Sequence, residues 1–183
     1  MKGAYHLSGR NIMLQGDKIS LQPVCDDDIS DEYVSWLNDL GVVRYSNQRF
    51  LKHSKESCLG YVQSFLGTDN LFLSVKENQS RRIIGSITAY LNRHHGTADI
   101  GLMIGDRSVW GKGYGFEAWQ LMMQYLFDTA MIRKITGGTL RDNTGMIKIM
   151  ERAGMELEAI RKEQEMLDGK AVDILYFAKF SDV

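Results

Sequence analysis

The residues best placed to do chemistry are Trp110-Gly111-Lys112-Gly113-Tyr114-Gly115-Phe116-Glu117-Ala118, three glycines in a short turn that runs straight into an amphipathic helix. Without a β-carbon, each glycine lets its main-chain N–H approach a ligand closely. The start of a helix adds amides that have no carbonyl partner inside it, together with the positive end of its dipole. Such a turn binds anions, and the anion expected here is a phosphate of a cofactor or substrate.

Three phosphate-binding patterns compete for the turn. A P-loop requires Gly-Lys followed by Ser or Thr, and Lys112 is followed by Gly113. The dinucleotide fingerprint G-x-G-x-x-[G/A] is met formally by Gly113, Gly115 and Ala118. It also wants a tight strand-to-helix turn, whereas roughly eight residues separate Ile104 from Gly113, and an acidic residue closing the next strand, where this chain has Thr139-Leu140. The third pattern fits better. The turn resembles the acetyl-CoA pyrophosphate loop of the GNAT acetyltransferases, [R/Q]-x-x-G-x-[G/A], with Gly113 and Gly115 as its small residues and Trp110 in place of the opening Arg or Gln. Trp at that position, with Gly-Lys-Gly-Tyr and Glu-Ala after it, is similar to the RimJ/RimL branch. A merely flexible turn would not need glycines at alternate positions.

The helices and strands that must position this turn follow from periodicity. Lys18 to Gln22 alternates and predicts a strand ended by Pro23, the only proline. Asp26-Asp27-Asp28 offers capping chemistry to a helix over Ile29–Asn38, and Ser54 to a second helix through Phe65. Strands are predicted at about 71–75, 83–90 and 97–104, the last two joined by a polar turn ending in Gly96. A long helix over 116–129 carries Trp119, Met122, Met123 and Leu126 on one face, a stripe read as core. A strand at 134–139, a short helix at 144–153 closed by Gly154, and two strands meeting at Asp168-Gly169 complete the chain. The expected fold is α/β, a mixed and mostly antiparallel sheet with helices on both faces around one strand–helix–strand crossover. The GNAT order is the same, and the resemblance runs from Met13 to the end of the chain. It implies a single acyl-CoA-binding N-acetyltransferase domain over 1–183, with 1–12 as a loosely ordered extension.

Composition sets outer limits. The chain has 183 residues, enough for one domain with a full core, and its net charge of −1 is unlike that of a general nucleic-acid binder. Cys25 and Cys58 stand alone, without zinc or disulfide spacing, and the adjacent His94 and His95 point apart in a turn, so no metal is expected. No apolar run reaches the length of a membrane span and no signal peptide is visible. A cytoplasmic protein is expected, monomeric or homodimeric, with neither nucleic-acid nor membrane partners.

The resemblance also assigns roles. It implies that the main chain of Leu102, Met103 and Ile104 pairs with the pantetheine arm of acetyl-CoA and offers an amide to the thioester oxygen. Amides of Gly111, Lys112, Gly113, Tyr114, Gly115 and Phe116 would bind the pyrophosphate. Asn143 matches a cofactor-contacting position, or simply caps the short helix. Asp99 stands where related enzymes often carry Glu, and is either the base for the amine, acting through a water, or a solvated strand carboxylate. The usual acid positions, Ser three and Tyr seven residues after the Asn, are occupied by Met146 and Met150, which cannot donate a useful proton. Thr144 or Tyr90 could substitute, or water could protonate the thiolate.

The acceptor follows from the helix Trp36-Leu37-Asn38-Asp39 and from Arg44-Tyr45 and Asn47-Gln48-Arg49, which look similar to relatives that acetylate nucleotide-linked amino sugars. Arg44 and Arg49 would bind a second phosphorylated ligand, or pair with the acidic run Asp26–Asp31. Trp36, Arg44, Arg49 and Tyr90 form the expected acceptor set. A small amine is favoured, with the amine of a protein N-terminus, such as a ribosomal one, as the alternative. A domain that binds acetyl-CoA as a sensor without turnover is the alternative of another class.

Overall fold

The alternating and 3.6-periodic stretches build one sheet of eight strands, in the order β1-β2-β3-β4-β5-β6-β8-β7. The computed structural model describes residues 12–181, so the expected extension at 1–12 lies outside the described residues apart from Ile12. The strands are β1 (Leu14–Gln15), β2 (Ile19–Pro23), β3 (Leu71–Glu77), β4 (Ile83–Asn92), β5 (Thr97–Ile104), β6 (Lys134–Leu140), β7 (Glu156–Leu167) and β8 (Lys170–Phe180). Every neighbouring pair is antiparallel except β5 and β6. A dinucleotide fold needs a mostly parallel sheet, so that reading of Gly113, Gly115 and Ala118 fails on topology as well.

The helices are α1 (Asp31–Asn38), α2 (Leu40–Val43), α3 (Lys55–Gln63), α4 (Tyr114–Gln124) and α5 (Thr144–Arg152). Ser54 caps α3, its hydroxyl accepting from the Ser57 amide, as its position predicts. At α1 the cap is Ser30 rather than the aspartates, which form a 3-10 turn of their own. Pro23 is the last residue of β2, still opposite Leu73, and not the residue beyond it. Past Gln124 the chain continues in a π-helical turn, Tyr125–Thr129.

Both faces of the sheet are covered. On one, Trp119, Met122 and Leu126 are buried with Ile19, Leu73, Ile87 and Ile135, so the Met-rich stripe of α4 is core. On the other, Tyr33, Trp36 and Cys58 pack with Phe72 beside Met103. Each fully buried large apolar side chain contributes about 1.5–3 kcal/mol. No helix among the described residues is long and apolar enough to cross a membrane.

The far edge of the sheet is held by charge. Asp173 on β8 accepts from the Glu163 amide at 2.9 Å, from Lys162 Nζ at 3.0 Å and from Arg141 Nη2 at 2.8 Å. These donors hold its carboxyl well below the usual carboxylate range. A depressed carboxyl stabilises the fold above the unfolded-state value of about 3.9 and loses that contribution as pH falls through the folded value. Asp173→Asn is therefore expected to lower Tm at pH 7. The gap between variant and wild type should shrink when thermal unfolding is repeated at about pH 3, below the unfolded-state value.

Candidate active site

The parallel pair opens almost as soon as it forms. β5 and β6 share only the register Thr97–Lys134, Ala98–Ile135 and Asp99–Thr136. Beyond that point β5 keeps β4, as far as Gly85–Ile104, and β6 keeps β8, as far as Leu140–Ile174. The two strands part into a wedge whose β5 edge has no strand partner from Gly101 onward, so its amides and carbonyls can pair with an extended ligand. A cleft of about 980 Å3 follows the wedge, lined by Leu102, Met103, Ile104, Gly111, Gly113 to Phe116 and Asn143.

The glycine turn closes one end of this cleft. Gly113 is the N-cap of α4 at φ 89°, a conformation that glycine adopts without the penalty other residues meet. Glu117 is the first residue of α4 whose amide finds a carbonyl, that of Gly113, which leaves the amides of Tyr114, Gly115 and Phe116 without backbone acceptors among the described residues. Trp110 has a structural reason for its type: its indole N–H donates to the Ile104 carbonyl at 2.8 Å and ties the turn to the end of β5. Lys18, absent from the expected site, donates to the Lys112 carbonyl at 2.9 Å, and Glu117 accepts from the Lys18 amide at 2.8 Å. Lys112 faces an adjoining groove of about 600 Å3 that it shares with Lys18 and Arg152. Arg152 also lies over the Phe116 ring at 3.9 Å and borders both spaces.

On the opposite face of the sheet, the mouth of the wedge is framed by two glycines, Gly101 on β5 and Gly138 on β6, with Asp99 and Thr136 at its closed end. Thr136 Oγ1 donates to Asp99 Oδ2 at 2.6 Å. Burial pushes the Asp99 carboxyl up, and the Thr136 bond offsets part of that rise. Gly137 and Gly138 serve opposite faces. A β-carbon on Gly137 would stand 2.9 Å from Trp119 Cη2, and one on Gly138 2.9 Å from Tyr176 Cε1.

The expected acceptor set divides. Trp36 is 7% exposed with its ring against Gly105, so it supports the cleft from below and does not line it. Tyr90 is also absent from the lining; its hydroxyl meets that of Tyr61 at 2.5 Å, and Tyr61 is the one of the pair that borders the cleft. Arg44 pairs with Asp168 at 2.6 Å, and Arg49 reaches Glu165 at 3.4 Å and the Met166 carbonyl at 2.9 Å. Neither arginine joins the acidic run Asp26–Asp31, whose Asp28 pairs with Lys76 instead. The arginines fasten the 44–50 segment to the β7–β8 hairpin, and Tyr45, Asn47 and Glu165 then line the cleft. Asn143 caps α5, accepting from the Met146 amide at 3.3 Å while donating to Thr139 at 3.0 Å. Met150 is fully buried in the core.

Residues 18–156 match the model of the Acetyltransferase (GNAT) domain family. The chain belongs to the GNAT acetyltransferase family. It is similar to the uncharacterized N-acetyltransferase p20 of Bacillus licheniformis, 28% identical over 116 residues that span 63% of this chain and 64% of that one, just under two thirds of the relative's length. It is also similar to the probable N-acetyltransferase YjcK of Bacillus subtilis (strain 168), 21% identical over 165 residues covering 86% and 91%. Among solved structures, a RimL ribosomal-protein alpha-N-acetyltransferase in complex with coenzyme A superposes with a TM-score of 0.82 at 16% identity, covering 93% of this chain and 99% of that one. At that identity the likeness is one of fold.

The donor expected of a GNAT chain is acetyl-CoA, and the residues present fit it. A pyrophosphate matches the unclaimed amides at the α4 N-terminus and the cations Lys112, Lys18 and Arg152 beside them. An extended amide-bearing arm matches the bare edge of β5. Sequence reasoning missed Lys18 and Arg152, which lie outside the loop motif. It also missed Tyr61, Thr136 and Tyr176, which reach the site only through strand register. Paired glycines inside the predicted strand at 134–139 were the one available signal, since strand glycines mark close approach.

Proposed function

We propose that this chain transfers the acetyl group of acetyl-CoA to a primary amine, by direct attack of the amine on the thioester, with a small amine as acceptor. The observation that carries this reading is the parallel pair that parts beside an anion-binding helix start, joining a place for the donor to a place for the nucleophile. Amides of Gly111 and of Gly113 to Phe116 hold the pyrophosphate, while that of Lys112, expected among them, already donates to the Val109 carbonyl at 3.3 Å. The β5 edge at Leu102–Ile104 orients the arm and supplies an amide to the carbonyl oxygen as it gains charge. Asp99, at the closed end of the wedge, takes the amine proton through a water, and a carboxyl raised by its surroundings suits that task better than an ordinary one. Asn143 keeps α5 in place against the arm.

A nucleotide-linked amino sugar would have to draw Arg44 or Arg49 away from Asp168 or Glu165, so a small amine without phosphate is the acceptor favoured here. The RimL likeness keeps a protein N-terminus as the second reading. Thermal unfolding with acetyl-CoA, CoA and NAD at matched concentrations tests the donor. A ligand at about 100 times its Kd stabilises the native state by about 2.7 kcal/mol, several degrees for a domain of this size. A rise with acetyl-CoA and CoA but not NAD is expected. A rise with NAD alone would overturn the reading, and acetyl-CoA binding without CoA release in the presence of any amine would make the chain a sensor.

A further inference from the structure

The positions that would ordinarily supply the proton for the departing thiolate hold Met146 and Met150, yet among the described residues the cleft lining still carries two phenols whose hydroxyls bond nothing, Tyr45 on the 44–50 segment and Tyr176 on the strand beside the wedge. Tyr176 on β8 stands opposite Gly138 in the register of β6 and β8, and its ring leans across β6 over that glycine. The flank of the ring covers the glycine: Cε1, Cδ1 and Cζ lie 2.9, 3.1 and 3.5 Å from where a Gly138 β-carbon would stand. Any side chain at 138 would push the ring off the strand, so glycine there leaves the phenol its place beside the wedge. Tyr176 lines the cleft together with Gly101, Gly138, Thr88 and Asp99. Tyr33, Tyr61, Tyr90 and Tyr114 each bond another side chain through their hydroxyls. Of the partnerless phenols among the described residues, Tyr125 lies outside the cleft and Tyr45 sits on the 44–50 segment, which leaves Tyr176 as the one that strand register sets beside the wedge. The Arg161 guanidinium lies over the Tyr176 ring, 5.1 Å from its centroid, a cation–π contact that holds the ring in place.

We infer that Tyr176 is the general acid of the transfer, an inference that rests on the reading of this cleft as an acetyltransferase site. As the amine nitrogen bonds to the thioester carbon, the carbonyl oxygen takes the electron pair. When the C–S bond then breaks, its pair goes to sulfur and the phenolic proton passes to sulfur, releasing CoA as the thiol. The proton lost by the amine, held by Asp99 through water, returns to the phenolate through solvent. The net change is amine and thioester to amide and thiol. Donation comes from the β8 side of the wedge, and Met146 and Met150 are left free to pack.

Tyr176→Phe removes only a hydroxyl that bonds nothing in the protein, so Tm and the stabilisation by acetyl-CoA should stay at wild-type values. The single-turnover rate of acetyl transfer should fall by about 100-fold, the lower end of what general acids contribute, with the KM for acetyl-CoA unchanged. Tyr176→His, which keeps a proton donor, should recover a substantial part of the rate. A Phe variant within twofold of wild type would overturn the inference, as would a rise in the acceptor KM at constant rate, which would make Tyr176 an acceptor-binding residue. If Phe at 176 lowers Tm, the His variant decides: folded and as slow as Phe, it too overturns the inference. Wild type without turnover would instead sink the acetyltransferase reading itself, so the two failures are told apart by the wild-type control.

Discussion

Asp99→Asn is expected to reduce kcat/KM for the amine by about 100-fold or more, the loss typical of a missing general base. The substitution keeps the size of the side chain and keeps an oxygen to accept the Thr136 hydroxyl, so the wedge should hold its shape. In wild type the base form exists only above the Asp99 pKa, which burial raises. Activity should therefore climb with pH through a midpoint above the ordinary aspartate value of about 3.9, and Asp99→Asn should lose that limb. Stability moves the other way. A raised carboxyl means that the native state holds the proton more tightly than the unfolded chain, so the contribution to stability present at low pH is lost as pH rises through the folded pKa. At neutral pH the variant should unfold at a Tm no lower than that of wild type. A pH–rate profile measured alongside thermal unfolding checks both halves. Unchanged kcat/KM across the profile would reduce Asp99 to a solvated strand carboxylate.

Gly113→Val acts on the donor instead. At φ 89° a residue with a β-carbon pays about 1–2 kcal/mol, and a β-branched one more, so the turn should rebuild and not merely strain. Rebuilding turns away the amides that precede Glu117 and disturbs the Lys112 carbonyl that Lys18 holds. A hydrogen bond to a charged group contributes about 1.5–3 kcal/mol, so losing two such bonds to the pyrophosphate corresponds to acetyl-CoA binding weaker by about 100-fold or more. Titration calorimetry with CoA reads this directly. Gly60→Ala is the control: nothing stands near that position in α3, so it should leave CoA affinity unchanged and raise Tm slightly through helix propensity. Equal affinity in wild type and Gly113→Val would show that the turn does not hold the donor.

What could be read from the sequence, and what could not, divides along a physical line. Local features were legible. The glycine turn, the period of α4, the Ser54 cap and the strands from Leu71 onward all depend on neighbours in sequence. The parallel pair was legible through its crossover, because a strand, a long helix and a further strand admit few arrangements. Side-chain direction and partnership were not. Trp36 falls on the buried face of α1, and Arg44 and Arg49 find Asp168 and Glu165 more than a hundred residues away, where no local pattern could point. Tyr176 reaches the wedge only because β8 lies beside β6 and Gly138 stands opposite it. The assignment of Asp26–Asp28 as a helix cap failed for a local reason: Ser30, directly before α1, stands where its hydroxyl can accept from the free Tyr33 amide of the first turn.

The central claim is that this wedge moves an acetyl group from CoA to a primary amine. Its most direct test incubates the protein with acetyl-CoA and a panel of small amines, amino sugars and peptides with free N-termini, and measures released CoA and acetylated product together by mass spectrometry. CoA and acetylamide should form in equal amounts, with a small amine turned over faster than any peptide. Acetyl-CoA that binds yet stays intact with every amine would contradict it.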